Sequence, residues 1–378
     1  MMPRAETLWI VDRAKSLGFD LCGVALAEKF PELQRTPEWL ARGYAGEMKY
    51  LADPRRSDPR AAMPEIRSAI VCLLNYNSAH ALSTDPALTG EECKTRGWIS
   101  RYAWGDDYHE VLRERLDELQ ETLRQRFADP FAARAYVDTG PVQERVLAKY
   151  AGLGWLGKNT LLLNQMLGSF FFLGVILTTL DLEPTLAAGE LPPPDLCGSC
   201  RRCLDACPTQ AFVEPYVMDA RKCISYLTIE LRGSIAEEFR EAQGNHIFGC
   251  DICQDVCPWN RRAPIVPTPR FQPRVFSPDD ESNAPESSPA QEESLFLPRL
   301  EWLLGLSETE FREYFRGSPV KRAKWRGLLR NACVAAGNSG LRPGMAQQAR
   351  MATQLERLAG SQDRVVAESA RWALSRIQ

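Results

Sequence analysis

Apolar residues recur at helical spacing over 108–127, where Leu112, Leu116, Leu119, Leu123 and Phe127 fall on one face. Residues 6–17 also read as a helix, and it runs into a short strand at 20–25. Further strand-like runs occupy 66–74, 133–137 and 170–177, and a helix-like run covers 142–151. Helical and strand-like segments alternate through residues 1–184, which predicts an α/β domain. Residues 185–264 are poor in periodic elements. Residues 265–294 are dense in Pro, Ser and acids and read as a linker or mobile loop. From 295 to 378 the pattern is helical again. Ser307 and Glu310 have the spacing of a capping box. Runs at 328–336, 345–358 and 364–377 follow, joined by turns containing Gly or Asn. Antiparallel helix pairs of this kind stack as HEAT-like repeats.

Composition narrows the class. Of 378 residues, 44% are hydrophobic and 25% charged, an ordinary soluble profile that excludes collagen-like and mostly disordered chains. The uncharged stretch 159–180 contains polar residues throughout, and its apolar part is too short to span a bilayer. The N-terminus lacks the apolar core of a signal peptide and a twin arginine, so a cytoplasmic, non-membrane protein is expected. Twelve cysteines in a reducing compartment call for a metal rather than for disulfides.

Eight of the twelve lie between Cys197 and Cys257. Cys197-x2-Cys200-x2-Cys203-x3-Cys207-Pro208 is the bacterial ferredoxin run, in which the fourth cysteine ligates the other cluster. A second run, Cys250-x2-Cys253-x3-Cys257-Pro258, lacks its leading cysteine, and Cys223 is the available replacement. The assignment is therefore two [4Fe-4S] clusters in a ferredoxin-like domain. Cys197, Cys200, Cys203 and Cys257 hold one; Cys207, Cys223, Cys250 and Cys253 hold the other. Zinc is the alternative, but this spacing is a poor zinc pattern. Cys22, Cys72, Cys93 and Cys333 stand apart as inert cysteines.

Gly152 to Lys158 spells both G-x-G-x-x-G and most of a P-loop. Both motifs need a strand before and a helix after, and the order here is the reverse. Asn159 also stands where a P-loop needs Ser or Thr. A nucleotide site is not expected.

Two clusters need an electron acceptor, and the N-terminal domain is the place for it. Asp138-Thr139-Gly140-Pro141-Val142-Gln143-Glu144-Arg145, the run Ala151 to Asn159, Arg101 to Gly105 with Asp107-Tyr108-His109, Cys223 to Thr228 and Gly249 to Gln254 together resemble epoxyqueuosine reductases. The resemblance implies a cobalamin-dependent oxidoreductase. Such an enzyme reduces the epoxide of epoxyqueuosine, at the wobble position of a tRNA anticodon, to the alkene of queuosine. The sum is two electrons and two protons, with loss of water. No D-x-H-x-x-G motif is present, so histidine ligation of cobalt is not expected. The family's proton donor falls on Asp138, and burial against corrin would raise its pKa to suit that role. The plainer reading is that Asp138 caps a helix opening at Pro141. Other cobalamin contacts carry over to Arg56, Ser100, Lys158, Leu173, Ser225 and Asp251, with Asp138 among them. His109 reads as structural.

The formal net charge is −3, so an RNA partner needs a local basic patch. From 312 to 330 the cations are Arg312, Arg316, Lys321, Arg322, Lys324, Arg326 and Arg330, with Glu313 the sole acid and Trp325 among them. Lys321, Arg322, Lys324, Arg326 and Arg330 are the expected tRNA contacts. The remaining expected partner is a reductant of ferredoxin or flavodoxin type, and a monomer would leave an open face for tRNA. Rival functions are a cobalamin-dependent reductive dehalogenase and a non-catalytic two-cluster electron carrier.

Overall fold

The computed structural model describes residues 3–266, 268–276 and 292–378. Its N-terminal part is built on four strands: β1 (Leu21–Leu26), β2 (Ser68–Asn75), β3 (Ala133–Tyr136) and β4 (Phe171–Thr178), in the order β1-β2-β4-β3. Every pairing is antiparallel. Helices and strands alternate along the chain as an α/β domain requires, and the sheet they build is antiparallel throughout. Helices α1 (Pro3–Ser16) and α2 (Tyr108–Arg126) cover one face, where Ile70, Cys72 and Leu74 pack with Ile10, Leu112 and Leu116. Helix α3 (Glu144–Tyr150) covers the other, against Ala69, Val71 and Leu73. Burial on both faces explains why β2 reads as one continuous apolar run. The charge-free stretch is β4, an interior strand of this sheet, and no described helix is long and apolar enough to cross a membrane.

The C-terminal helices do not stand apart. Helix α4 (Lys324–Gly337) packs on α5 (Ala346–Ala359) and α6 (Arg364–Ile377) through a core that also holds Trp98, Ile99, Trp104, Ile247 and Phe248. Trp98–Ile99 and His246–Phe248 pair as parallel strands, so three stretches distant in sequence share one core. The ends of the expected 265–294 linker are also built in. Phe271 is buried against Phe172, Arg270 pairs with Asp106 at 3.0 Å, and Val275–Phe276 pairs with Glu293–Ser294. Residues 277–291 of that linker lie outside the described residues, as does Pro267.

Candidate active site

Asp138 follows β3 with φ +55°, in the left-handed region that costs a non-glycine residue energy. Its neighbours over-determine that turn. The Asp138 N–H donates to Glu144 Oε1 at 2.7 Å, and Gly140 lies so close to the Tyr136 ring that a Cβ would collide. The carboxylate caps no helix, since α3 opens at Glu144 rather than Pro141. Instead, Tyr108 Oη donates to Asp138 Oδ2 at 2.8 Å, and His109 Nε2 faces the same oxygen at 3.5 Å. The other ring nitrogen of His109 lies 2.7 Å from Asp107 Oδ1. Asp107 also caps α2 and pairs with Lys321 at 2.8 Å. Tyr108 is fixed by stacking on Phe172, with ring centroids 4.5 Å apart.

These contacts reverse the expected protonation. The walls around Asp138, whose side chain is 64% exposed, work against its charge, but His109 and Tyr108 outweigh them and hold the carboxyl below its usual range. Burial likewise opposes charge on His109, yet the carboxylates of Asp107 and Asp138 raise its pKa to about 9. Glu144 moves furthest up, to about 8, through burial and then the negative charge of Asp138. At neutral pH the protons therefore sit on His109 and Glu144, and Asp138 is the anion between them. His109 therefore faces Asp138 directly. Its partner comes 29 positions later in the chain, where no local motif could show it.

Asp138 lies in the wall between two joined chambers. The inner one, about 440 Å³, is lined by Ser100, Leu173, Ser225 and Asp251, four of the residues that the resemblance singles out, together with Cys207, Cys223, Cys250 and Cys253. The outer one, about 1230 Å³, shares Tyr102, Tyr108, Asp138, Cys223 and Ser225 with it and opens between Lys321, Arg322, Lys324 and Trp325. Arg312 and Arg316 also line its rim. Tyr50 stands at the same mouth, with the Arg56 and Arg322 guanidiniums 5.8 and 5.6 Å from its ring centre. Tyr50 carried no motif signal, and Tyr102 and Glu144 lay inside the motifs of the resemblance without a role of their own.

Three expected residues are placed elsewhere. Arg56 lines neither chamber, though it stands beside Tyr50 and its charge acts on Glu144. Lys158 Nζ donates to the carbonyls of Gly198 and Cys200, so it braces the first cysteine loop and points away from the cavity. Arg330 is buried and donates to the carbonyls of Leu227, Leu231 and Gly233. It cannot meet RNA, because α4 sinks into the core within its first turn and takes Arg330 with it. Arg330→Ala leaves those carbonyls unsatisfied. It is expected to cost about 3 kcal/mol of stability, measurable by chemical denaturation, without altering RNA affinity of the folded fraction.

The thiols of the two cysteine runs sense one another. Burial and then Cys257, Cys197 and Cys200 raise the Cys203 thiol to about 11. Burial raises Cys253, with Cys223, Cys203 and Cys207 adding to it, and Cys250 responds to Cys223 and Cys253 after burial. Among the described residues no three His, Cys, Asp or Glu are gathered tightly enough for a single metal ion. The backbone N–H groups of Ser225 and Tyr226 lie toward the Cys223 sulfur, and the Lys158 N–H toward that of Cys197. Such donors offset the negative charge of a bound cluster. The inner chamber suits a corrin. Leu173 and Phe172 offer apolar walls, Ser100, Ser225 and Asp251 can meet a rim of amides, and no described histidine lines it.

Comparison with known proteins places this geometry. Residues 196–260 match a family described as a 4Fe-4S double cluster binding domain, and 56–139 match one described as epoxyqueuosine reductase QueG, DUF1730. The epoxyqueuosine reductase of Gloeobacter violaceus is 44% identical, over 88% of this chain and 96% of its own length. That of Escherichia coli is 40% identical, over 85% of this chain and 78% of its own length. An epoxyqueuosine reductase crystallised with an epoxyqueuosine-modified tRNA-Tyr stem loop superposes with a TM-score of 0.81 at 31% identity, covering 98% of this chain and 90% of that one. The Bacillus subtilis enzyme, solved with a catalytic aspartate loop swung out of its active site, gives 0.76 at 27% identity, covering 99% of both chains.

Proposed function

This chain belongs to the epoxyqueuosine reductase family, and from that membership we propose that Asp138, His109 and Glu144 supply the protons for epoxide reduction on tRNA. One observation carries the reading: four cluster thiols and Asp138 share the inner chamber, and that chamber opens onto a basic, aromatic mouth. Electrons, a proton donor and an RNA entrance meet at one place. Ser100, Leu173, Ser225 and Asp251 would hold cobalamin there. Bound at this position, cobalamin supplies the low-potential electrons that open the carbon–oxygen bond.

The chain's own part is proton delivery and positioning. Loss of the epoxide oxygen as water requires two protons, and two are stored beside Asp138, on His109 and on Glu144. Asp138 takes a proton from His109, 3.5 Å away, and passes it to the departing oxygen. The tyrosine hydroxyl of Tyr108 fixes the carboxylate for that transfer. Lys321, Arg322 and Lys324 hold the phosphates flanking the wobble nucleotide. Arg326, paired with Asp363 at 2.7 Å, sits just outside the mouth. The C-terminal helices act as a short HEAT-like module that presents this rim. A ferredoxin- or flavodoxin-type reductant, a reducing cytoplasm and a monomer with an open tRNA face complete the reading.

The direct test is anaerobic addition of cobalamin to the cluster-loaded protein, with shifted corrin absorption bands as the expected result. Leu173→Arg, which puts bulk and charge into the inner chamber, should abolish the shift and leave cluster absorption intact. An unshifted corrin spectrum with the parent protein overturns the assignment. The proton store has its own signature. With Glu144 protonated below about pH 8 and His109 below about pH 9, kcat should hold steady up to about pH 8 and fall above it. In His109→Gln the fall should begin below about pH 7, and kcat at pH 8 should drop about 100-fold.

A further inference from the structure

We infer that the face around Cys197, Cys200, Cys203 and Cys257 is the docking surface for a small, acidic, one-electron carrier protein, gripped by Arg202, Arg261 and Arg262. The inference rests on the reading of the eight thiols as a two-cluster wire.

The two sets of thiols are placed differently. Cys207, Cys223, Cys250 and Cys253 all line the inner chamber. None of Cys197, Cys200, Cys203 and Cys257 lines either chamber. Electrons that leave at the inner set must enter at the outer one. Cys197, Cys200 and Cys203 are partly exposed, so the entry point reaches the surface.

The surface beside that entry is cationic. Arg201 and Arg202 lie between Cys200 and Cys203, and the turn Pro258–Arg262 after Cys257 ends in Arg261 and Arg262. All four arginines are exposed. Arg201 pairs with Asp205 at 3.5 Å, whereas Arg202, Arg261 and Arg262 have no acidic partner among the described residues. Nearby acids are engaged too, as Asp195 accepts from Tyr216. Apolar side chains complete the patch. Asn260, in the same turn, accepts from the N–H of Ser169 at 2.7 Å and so holds the loop that exposes Met166 (78% exposed), while Ile265 and Leu196 are exposed alongside.

Unpaired arginines around apolar side chains, on a chain of net charge −3, suit an acidic protein that docks briefly and leaves. RNA fits this face poorly, because it would cover the electron entrance and leave Asp138 unvisited. Each docking passes one electron: the carrier is oxidised and the outer cluster reduced. Two dockings serve each epoxide.

The test follows reduction of the clusters in the holoenzyme by stopped-flow absorption. One reductant is a reduced acidic flavodoxin; the other is the methyl viologen radical cation. For the unmodified protein, the flavodoxin rate constant should fall about tenfold from low to high salt, and the viologen rate should not fall. Reversing Arg202, Arg261 and Arg262 to glutamate should slow flavodoxin about tenfold and leave the viologen rate no lower. The salt series needs no variant, so a rate indifferent to salt overturns the inference even where the triple variant fails to load iron. A flavodoxin rate indifferent to salt or to charge reversal overturns the inference. So does an equal loss with viologen, which would make these arginines supports of the cluster. Weakened binding of the tRNA stem loop at an unchanged flavodoxin rate would make the face an RNA surface and overturn it as well. Failure of viologen to reduce any cluster would sink the two-cluster reading itself.

Discussion

Replacing Asp138 by asparagine is expected to leave a protein that loads its clusters and cobalamin normally, yet reduces the tRNA epoxide about 10²–10⁴-fold more slowly. Asparagine is the informative choice because of the backbone. At φ +55° an alanine adds left-handed strain, about 1 kcal/mol, whereas asparagine tolerates the region. The amide oxygen can still accept from Tyr108, so the turn and the aromatic stack on Phe172 persist. What is lost is a group able to take a proton from His109 and give it up again. The measurement is single-turnover reduction of an epoxyqueuosine stem loop by pre-reduced enzyme, with cluster and corrin absorption recorded on the same sample. A loss smaller than about threefold would move the donor role away from Asp138, with Glu144 next in line.

Much of this site was legible because its chemistry is local in sequence. The cluster cysteines announce themselves by spacing, since the loops that wrap a cubane span two or three residues. The amphipathic period of α2 fixed the helix whose N-terminus carries Tyr108 and His109. Strand order was hidden, because β2 is buried on both faces and its continuous apolar run fits parallel and antiparallel neighbours alike. The protonation pattern was hidden for a related reason. Burial alone argues for a neutral Asp138, and only the fold reveals the histidine opposite it. Composition misled at Arg330. A run of cations looks like one surface, but α4 turns its polar Arg330 and Asn331 inward, where backbone carbonyls receive them. Lys158 shows the same limit, as its ammonium serves two carbonyls of a cysteine loop.

Changing Cys223 to alanine is expected to halve the iron content, from about eight to about four atoms per chain, and to abolish turnover. Cys223 belongs to neither cysteine run, so its role as the fourth ligand is the weakest joint of the partition and the best place to strike it. Its position supports the assignment. It precedes the helix Ile224–Ile229, where the N–H groups of Ser225 and Tyr226 point at its sulfur, and it responds to Cys207. It also lines both chambers. Loss of this ligand therefore removes the cluster nearest the substrate and spares the other, held by Cys197, Cys200, Cys203 and Cys257. Viologen should still reduce the surviving cluster, while bound cobalamin should stay oxidised. Cys257→Ala should give the mirror result, with the inner cluster kept but starved of electrons from a protein carrier. Cys22, Cys72 and Cys333 are buried in apolar cores and cannot substitute. Iron and acid-labile sulfide counts, with low-temperature EPR of each reduced variant, separate these outcomes. Full iron retention in Cys223→Ala would break the partition and the electron path drawn from it.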